Sequence, residues 1–391
     1  MTTWPVIDYG HTSHAAAFGR SDVYGIRADP TRAAKRPLAL GLIGCGGVAQ
    51  AKWLPAIQRL RTISEPITVA GFVDPDAGTR AKVAALCPAP AFETTERLLE
   101  GGGIDLALVL SADDAHAPAA RACIERGVAA LVEKPLARSL AEARALCGLA
   151  ERKGVLLASV ANKRFSPPYA LAHALIADGA LKSGPRLFQG KFTLGYPYVD
   201  LLEGGTIHML DLALWFMGPV RRLHAIGNLD ADGRLESAVA TLTFASGAVG
   251  VVTTSAAALS FKPWERVEIV GRHAMLTVED QYELTLFDEE TGPAKSWRPV
   301  VPNTLMFDES FGGYAGLLEN VLDAVRGLAP LGATGRDGAA AVEVITAIYV
   351  SLETGTAVDL PLDPDALSPA YRHLPPRPLR VAPLQDHGSR P

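Results

Sequence analysis

The sequence predicts an α/β protein, with an N-terminal doubly wound parallel sheet followed by a C-terminal α+β domain that has a large, mostly antiparallel open sheet. Strand candidates that are apolar on both faces alternate with helical segments in the first part of the chain, which is typical of a covered parallel sheet. A glycine-rich turn directly follows the first strand. Beyond about residue 162, strand candidates follow one another through short turns, which indicates antiparallel pairing.

Length and composition already exclude several classes of protein. The 391 residues, 48% of them hydrophobic, suffice for two or three domains with buried cores. The net charge of −5 argues against a nucleic-acid partner. Four cysteines without C-x-x-C spacing argue against disulfides and zinc, so we expect no metal and a reducing cytoplasm. We expect no membrane span either, because Ser, Thr and Gly interrupt the uncharged stretch 238–261, which fits a hairpin.

Changes in sequence character divide the chain into four parts. Residues 1–36 are predicted to form an irregular arm, which either frays or packs on a partner subunit or cofactor through Trp4, Tyr9 and Tyr24. The other predicted parts are a dinucleotide-binding domain over 37–162, a substrate-binding and oligomerisation domain over 163–365, and a proline-rich extended tail over 366–391.

The elements of the two main domains follow from apolar periodicity and from the glycines that end them. Predicted strands of the first domain are 38–44, 67–74, 104–111, 129–133 and 155–160, and the helices between them are 47–60, 75–86, 117–126 and 139–153. Predicted strands of the second domain are 187–194, 220–228, 238–244, 249–255, 266–270, 274–278 and 282–287. Its predicted helices are 167–177, 207–216, 311–326 and 338–352.

The turn after the first strand has the spacing G-x-G-x-x-A, the phosphate-binding signature of a Rossmann domain. The first glycine permits a tight turn, the second lets the backbone approach a pyrophosphate, and the small last residue lets the helix pack close to the strand. The helix N-terminus then offers free N–H groups to the phosphates. The cofactor-binding residues predicted here are Gly44, Cys45, Gly46, Gly47, Val48 and Ala49.

Asp74 ends the second predicted strand, in the sequence VDPD. A carboxylate at this point hydrogen-bonds the ribose hydroxyls of NAD and repels the 2′-phosphate of NADP. Asp76 adds to that repulsion, so we predict NAD as the cofactor, with NADP disfavoured. The alternative is that Asp74 only caps the following helix.

Glu133, Lys134 and Pro135 end another predicted strand at the carboxyl edge of the sheet, where open α/β sheets bind ligands. The proline fixes the turn and thereby holds the lysine in place. A partly buried lysine beside a nicotinamide ring can take a proton from a substrate hydroxyl while hydride leaves the same carbon. The alternative is a solvated surface lysine.

Together these motifs resemble the Gfo/Idh/MocA oxidoreductases over about residues 38–360. The segments that carry the resemblance are GLIGCGGVA, VDPD, LVLSADDAHAPAA, VEKPLA, NKRF and IHMLDLALWFMG. The resemblance implies an NAD(P)-dependent dehydrogenase that acts on a sugar, nucleotide sugar or cyclitol. It also implies that Lys134 contacts substrate and cofactor, that Glu133 bonds near the nicotinamide ribose, and that the open sheet builds a homodimer or homotetramer.

The resemblance assigns further residues to the cofactor. Ser111 and Ala112 correspond to a loop along the dinucleotide, and His116 either faces the pyrophosphate or simply lies at a helix N-terminus. Asn162 would approach the nicotinamide or the substrate at the domain hinge.

The second catalytic signature matches in part. His208 and Asp211 fit its H-x-x-D pattern, and imidazole titrates near neutral pH, so His208 is predicted to assist Lys134 in acid/base catalysis. The family aspartate four residues before the histidine falls on Gly204, and Asp200 or Glu203 could replace it. The predicted substrate-binding residues, of which Lys163 or Arg164 would also suit a charged substrate, are Lys134, Lys163, Arg164, Tyr196, Tyr198, His208 and Asp211.

Two rival functions remain open at the level of sequence. In one, the cofactor is tightly retained, and it is either recycled between two sugars or used for the transient oxidation of an elimination reaction. In the other, the chain is a non-catalytic relative that senses a ligand, which the altered region before His208 favours and the retained Glu133-Lys134-Pro135 disfavours.

Overall fold

The computed structural model describes residues 30–194, 199–258, 263–289, 292–298, 312–376 and 379–381. Several predicted residues therefore lie outside the described residues. They are the arm anchors Trp4, Tyr9 and Tyr24 and the pocket residues Tyr196 and Tyr198.

The first sheet has six parallel strands in the order β3-β2-β1-β4-β5-β6. Its strands are β1 Leu38–Ile43, β2 Ile67–Val73, β3 Ala91–Phe92, β4 Leu106–Val109, β5 Ala129–Val132 and β6 Leu157–Ser159. Every residue of β4, β5 and β6 is buried, because helices cover both faces of the sheet. The strand order reverses between β1 and β4, which opens a crevice at their carboxyl ends where such sheets bind ligands. The predicted doubly wound sheet is thus confirmed.

The helices of the first domain connect these strands. They are α1 Pro30–Ala33, α2 Leu54–Thr62, α3 Ala77–Leu86, α4 Thr95–Glu100, α5 Asp113–Glu125 and α6 Leu140–Lys153. A π-helical turn, Ala49–Trp53, joins the glycine-rich turn to α2. The helix predicted from residue 117 begins earlier, at Asp113, because acidic side chains in a first turn favour the helix dipole.

The second sheet has nine strands in the order β14-β13-β12-β11-β7-β10-β9-β8-β15. β7 and β10 pair in parallel and the other neighbours are antiparallel, which confirms the predicted mostly antiparallel sheet. Its strands are β7 Leu187–Thr193, β8 Val220–Leu229, β9 Leu235–Phe244, β10 Val249–Ser255, β11 Trp264–Val270, β12 Ala274–Glu279, β13 Glu283–Asp288, β14 Gly292–Trp297 and β15 Val358–Asp359.

Helices and short turns cover one face of this sheet. The helices that follow the first domain in the chain are α7 Pro167–Ala177, α8 Ile207–Met217, α9 Tyr314–Val325 and α10 Gly335–Thr354, and α7, α8 and α10 pack on this sheet. A 3₁₀ turn at Asn162–Phe165 precedes α7, and a π-helical turn at Leu201–Thr206 precedes α8. α10 packs against α6 of the first domain and against α8 and β8 of the second, so it ties the two domains together. α9 belongs to the first core instead, because Leu317 and Leu318 pack there with Trp53.

The proline-rich tail is packed rather than extended over its described residues. Pro369–Tyr371 forms a 3₁₀ turn, and Tyr371 and Leu374 are buried in the core of the second domain. The Leu374 N–H donates to the Arg138 carbonyl at 2.7 Å, which fastens the tail to the segment just after Lys134. Within the described ranges, every helix is too short or too polar to cross a bilayer.

Candidate active site

The glycine-rich turn has the shape that a phosphate group requires. Gly44 has a φ of +91°, and a Cβ there would overlap the backbone of Ser111, so only glycine fits. A Cβ on Gly46 or Gly47 would meet no atom within 4 Å, which leaves open space beside the turn. The N–H groups that begin the following helical segment adjoin this space, as anion binding requires.

Asp74 anchors the glycine-rich turn to the end of β2. Its Oδ2 accepts the Cys45 N–H and its Oδ1 accepts the Asp76 N–H, both at 2.9 Å. The cap of α3 is Asp76, which accepts the Thr79 N–H at 2.6 Å, so the capping role considered for Asp74 is wrong. Burial, and then the Asp74 charge, raise the pKa of the Cys45 thiol to about 12, which keeps that thiol protonated and inert.

Glu133 is buried below Lys134 and orients it. Its Oε1 accepts the Trp53 indole N–H at 2.8 Å, and its Oε2 accepts the Lys134 backbone N–H at 3.1 Å. Trp53 is held in turn by an edge-to-face contact with Tyr314, at 5.2 Å between ring centroids. Since both carboxylate oxygens are engaged within the protein, Glu133 fixes the lysine turn, and its bond to a nicotinamide ribose stays a prediction.

His116 does not face the pyrophosphate, which corrects the assignment of this residue to the cofactor. The side chain is buried, with 1% of the residue exposed. Its Nδ1 lies 2.7 Å from the Pro135 carbonyl and its Nε2 lies 3.0 Å from the Ser111 carbonyl. Because both ring nitrogens face backbone oxygens, His116 joins the loop after β4 to the lysine turn and has no atom left for a phosphate.

Lys134 and His208 come together in one small cavity between the two domains. The Lys134 Nζ donates to the Gly204 carbonyl at 2.9 Å, and Gly204 lies in the π-helical turn that leads into α8. No ion pair of the described residues includes Lys134, so a backbone carbonyl holds its ammonium group. The residues that line the cavity are Lys134, Ser159, Val160, Ala161, Ile207, His208, Asp211, Gly338 and Ala341.

The His208 imidazole is neutral at physiological pH. Burial lowers its pKa well below the usual value, and the positive charges of Lys134 and Lys163 lower it further. The expectation that this histidine titrates near neutral pH is therefore wrong. A neutral imidazole can donate one hydrogen bond and accept another, so His208 can orient a hydroxyl group but supplies no positive charge.

Arg164 and Asp211 bind each other, which corrects the assignment of Arg164 to the substrate. Asp211 also lines the cavity, so its assignment stays a prediction. Arg164 Nε donates to Asp211 Oδ2 at 2.9 Å and Nη2 donates to Asp211 Oδ1 at 2.6 Å. Nη2 also donates to Asp337 Oδ1 at 3.1 Å. Burial alone would lower the pKa of the guanidinium, but the two carboxylates outweigh that effect and raise it. The guanidinium is thus already neutralised and is not available for a phosphate or carboxylate of the substrate.

Lys163 is also paired within the protein, so its assignment as a cation facing a charged substrate is corrected as well. Its ammonium forms a buried ion pair with Glu265 on β11. The Tyr169 hydroxyl donates to the other oxygen of Glu265 at 2.8 Å. The positive charge of Lys163 therefore lowers the pKa of His208, but it is not free to bind a charged substrate.

Asn162 lies at the hinge between the two domains. Its Nδ2 donates to the Gly312 carbonyl at 2.7 Å, whereas its Oδ1 is buried and has no hydrogen-bond partner among the described residues. The Ser111 Oγ is likewise buried and unpartnered there. Two orphaned polar atoms, together with the open space at Gly46 and Gly47, are what a bound dinucleotide would satisfy. These residues and Asp74 fit NAD.

Some residues of the site could not be predicted from local patterns in the sequence. Glu265 and Asp337, which neutralise the two cations, come from a strand and a helix far along the chain. Trp53 and Tyr349, which bind Glu133 and Glu203, lie on helical segments where aromatic residues are typical of a core. In the described ranges, no group of His, Cys, Asp and Glu side chains could hold a metal ion.

Comparison with known proteins agrees with this geometry. Residues 38–161 match the model of an oxidoreductase family with an NAD-binding Rossmann fold, and residues 201–360 match the C-terminal alpha/beta domain of the same family. Fold and site therefore define a two-domain, NAD-binding oxidoreductase. The chain belongs to the Gfo/Idh/MocA family, which confirms the resemblance inferred from its motifs.

Curated relatives and solved structures extend the comparison. D-apiose dehydrogenase of Paraburkholderia graminis is 28% identical over 326 residues, which cover 72% of this chain and 83% of that protein. Myo-inositol 2-dehydrogenase of Thermotoga maritima is 26% identical over 287 residues, which cover 69% of this chain and 84% of that protein. Levoglucosan dehydrogenase in complex with NADH and levoglucosan has a TM-score of 0.75 at 19% identity, covering 84% of this chain and 100% of that one, which shows the shared fold.

Proposed function

We propose that this protein is an NAD-dependent dehydrogenase that transfers hydride between nicotinamide and a secondary alcohol or ketone carbon of a sugar or cyclitol. The observation that carries the proposal is the cavity in which the Lys134 ammonium and the neutral His208 ring meet, at the carboxyl edge of the sheet that bears the glycine-rich turn. Relatives named as apiose and inositol dehydrogenases support the substrate class.

In the proposed reaction, Lys134 carries the proton. NAD, when bound along the turn at Gly44 and beside Asp74, supplies the hydride acceptor. The neutral amine of Lys134 takes the proton of the substrate hydroxyl during oxidation, and the resulting ammonium returns it during reduction. The Gly204 carbonyl holds the amine in place between turnovers, and Glu133 fixes the backbone that bears it. His208 orients the sugar by a hydrogen bond, which keeps the reacting carbon at one angle.

The charges around the cavity favour an uncharged substrate over a nucleotide sugar. Glu265 neutralises Lys163, and Asp211 and Asp337 neutralise Arg164. Among the described residues that border the cavity, Lys134 is thus left as the cation without a carboxylate partner, and the proposed chemistry uses it. Among the described residues of the cavity, a diphosphate or carboxylate would find no free cation other than Lys134, so its desolvation would not be offset.

Turnover of a substrate panel tests this function. The purified protein is mixed with NAD and with uncharged pentoses, hexoses and cyclitols, and in parallel with uronic acids and nucleotide sugars, while NADH formation is followed by absorbance. We expect turnover with at least one uncharged polyol and none with the charged set. A protein that binds NADH but oxidises nothing in either set would contradict the proposal and favour a ligand sensor. Cofactor absorbance in the protein as purified would instead indicate tight retention.

Cofactor preference is predicted to depend on Asp74. Asp74→Ala removes a negative charge from the ribose site and should lower the preference for NAD over NADP about tenfold, since about 1.4 kcal/mol corresponds to that factor. It also removes the acceptor of the Cys45 N–H, so NAD binding itself should weaken. The ratio of NAD and NADP dissociation constants, measured by calorimetry, checks this. Glu100→Ala, which removes an exposed carboxylate paired with Arg97 on α4, is the matched control, and an unchanged ratio in Asp74→Ala would mean that the ribose is recognised elsewhere.

We also propose that the protein assembles into a homo-oligomer through the outer face of the second sheet. Large apolar side chains are exposed on these strands, which favours contact with another subunit. They are Ile226, Val239, Val249, Trp264 and Phe287. Light scattering in solution tests the assembly, and a monomer at micromolar concentration would contradict it.

A further inference from the structure

We propose that Arg138 is a positioning residue for Lys134, and that the C-terminal segment 368–376 holds Arg138 from the second domain. The inference rests on the proposed function in that Lys134 is taken as the proton carrier. Arg138 and Lys134 share one loop, the lysine loop, which spans residues 133–139 between β5 and α6. The C-terminal segment lies beyond residue 360, where the match with the family's C-terminal domain ends, so the matched domain does not include it.

The first support is a reciprocal pair of hydrogen bonds between Arg138 and Leu374. The Leu374 N–H donates to the Arg138 carbonyl at 2.7 Å, and the Arg138 Nε donates to the Leu374 carbonyl. Only 20% of the Arg138 side chain is exposed, so water competes weakly for these bonds. Because Arg138 is bound through both its backbone and its side chain, the lysine loop cannot move away from the C-terminal segment unless both bonds break.

The second support is the anchorage of the C-terminal segment in the second domain. Tyr371 and Leu374 are 5% and 1% exposed, and they pack in the core that also contains Leu210 of α8. The 3₁₀ turn at Pro369–Tyr371 contacts α10 as well. Since α8 bears His208, the segment fixes the lysine loop relative to the helix that carries this histidine.

The third support is a contact with the start of α5. Arg138 Nη1 lies 3.5 Å from Asp114 Oδ1, and His373 Nε2 lies 3.1 Å from the same oxygen. His116 of the same helix holds the Pro135 carbonyl at 2.7 Å. The side chains of Asp114 and His373 are exposed, so their contacts add little stability and mainly set the direction of the guanidinium group. Arg138 is therefore the point at which the lysine loop, α5 and the C-terminal segment meet.

The consequence for catalysis follows from a second link between the two domains. The Lys134 Nζ donates to the Gly204 carbonyl at 2.9 Å, and in the proposed reaction the amine leaves this carbonyl to meet a substrate hydroxyl. At that stage the bonds between Arg138 and Leu374 still hold the lysine loop against the second domain. Without them the amine would approach the hydroxyl from a wider range of positions, and a misplacement of about 1 Å can cost on the order of 10²-fold in rate.

Hydrogen–deuterium exchange of the full chain tests the positioning without a substrate. In Arg138→Ala the backbone amides of the lysine loop should exchange about fivefold faster than in the wild type, because the side-chain bond to the Leu374 carbonyl is lost. Amides of β9 in the second sheet should keep their wild-type rates, which separates release of the loop from loss of global stability. Arg372→Ala removes an exposed cation from the same C-terminal segment and is the matched control, with wild-type exchange in both regions.

Kinetics provide a second readout, which a merely structural role would not move. Arg138→Ala should lower kcat for sugar oxidation about tenfold, while the KM for the sugar and the NADH dissociation constant stay within about twofold of the wild type. Arg138→Lys keeps a positive charge and an N–H donor, so it should recover part of the lost kcat.

A double-mutant cycle shows whether Arg138 acts through the C-terminal segment. Leu374→Ala loosens the anchor of the segment in the second core, so it should lower kcat as well. The double variant should then lose less than the product of the two single losses, because both changes break the same link. If Leu374→Ala fails to fold, the comparison of Arg138→Ala with Arg138→Lys still decides the test.

The outcomes separate this inference from the proposed function. If Arg138→Ala leaves the exchange of the lysine loop unchanged, or leaves kcat unchanged in an enzyme that oxidises a sugar, the inference is overturned. Equal acceleration of exchange in β9 would also overturn it, since Arg138 would then contribute to global stability alone. If the lysine loop alone exchanges faster while the wild type oxidises no sugar, the link through Arg138 stands and the proposed function fails.

Discussion

Replacing Lys134 by alanine is expected to lower kcat for sugar oxidation about 10²–10⁴-fold, the range typical for loss of a general acid or base. The amine contacts the reacting hydroxyl in the proposed mechanism, whereas the glycine-rich turn and Asp74 hold the dinucleotide on another part of the sheet edge. NAD affinity should therefore stay within about tenfold of the wild type. Steady-state kinetics give kcat, and NADH fluorescence titration gives the dissociation constant.

A second lysine provides the control for this prediction. Lys191 is exposed on β7, and Lys191→Ala should leave both kcat and the NAD dissociation constant unchanged. If Lys134→Ala loses NAD affinity in the same proportion as kcat, the lysine contributes to binding rather than to the chemical step. If Lys134→Ala loses both kcat and NAD affinity and also unfolds at a lower temperature than the wild type, the turn at Glu133 and Lys134 has only a structural role.

Removing Arg164 is expected to have the largest effect on stability. Arg164→Ala leaves the buried Asp211 and the half-buried Asp337 without their common cation, and breaking a buried ion pair typically costs about 3–5 kcal/mol. Lysine cannot restore the two parallel bonds to Asp211, so Arg164→Lys should recover only part of this loss. Urea unfolding at neutral pH measures both variants.

The effect of Arg164→Ala should also depend on pH. Burial alone would raise the pKa of Asp337, but the Arg164 charge acts against burial and helps to keep this pKa below its usual value of 3.8. The stabilisation that the ion pair contributes is therefore present above that pH and is lost as the pH falls. The difference between wild type and Arg164→Ala should therefore shrink in acid. Arg336 pairs with Glu151 at the surface, and Arg336→Ala should cost less than about 1 kcal/mol, which makes it the matched control. An equal, small loss for both arginines would contradict the structural account of the site.

Local patterns in the sequence were sufficient to predict the frame of the site. The apolar strands, the glycine spacing and Asp74 lie within one βαβ unit, and each depends on neighbours that are close in the chain. Gly44 shows why, since its positive φ belongs to the turn itself and favours glycine there. The meeting of Lys134 and His208 required the family resemblance, because the two lie in different domains.

Charge pairing across the site could not be predicted from the sequence. Lys163 meets Glu265 at a separation of 102 residues, and Arg164 meets Asp337 at 173, so no spacing within one element relates them. An exposed cation facing the substrate and a buried cation neutralised by a distant carboxylate look the same in sequence. The same holds for His116, whose two carbonyl partners become neighbours only when the loops after β4 and β5 pack together.

A crystal structure of the protein with NAD and an uncharged sugar that it oxidises tests the central claim most directly. We predict that the Lys134 Nζ lies within hydrogen-bonding distance, about 2.6–3.2 Å, of the reacting hydroxyl, with His208 on a neighbouring hydroxyl of the same sugar. A complex in which the amine stays on the Gly204 carbonyl, while other groups hold the reacting hydroxyl, would contradict the account.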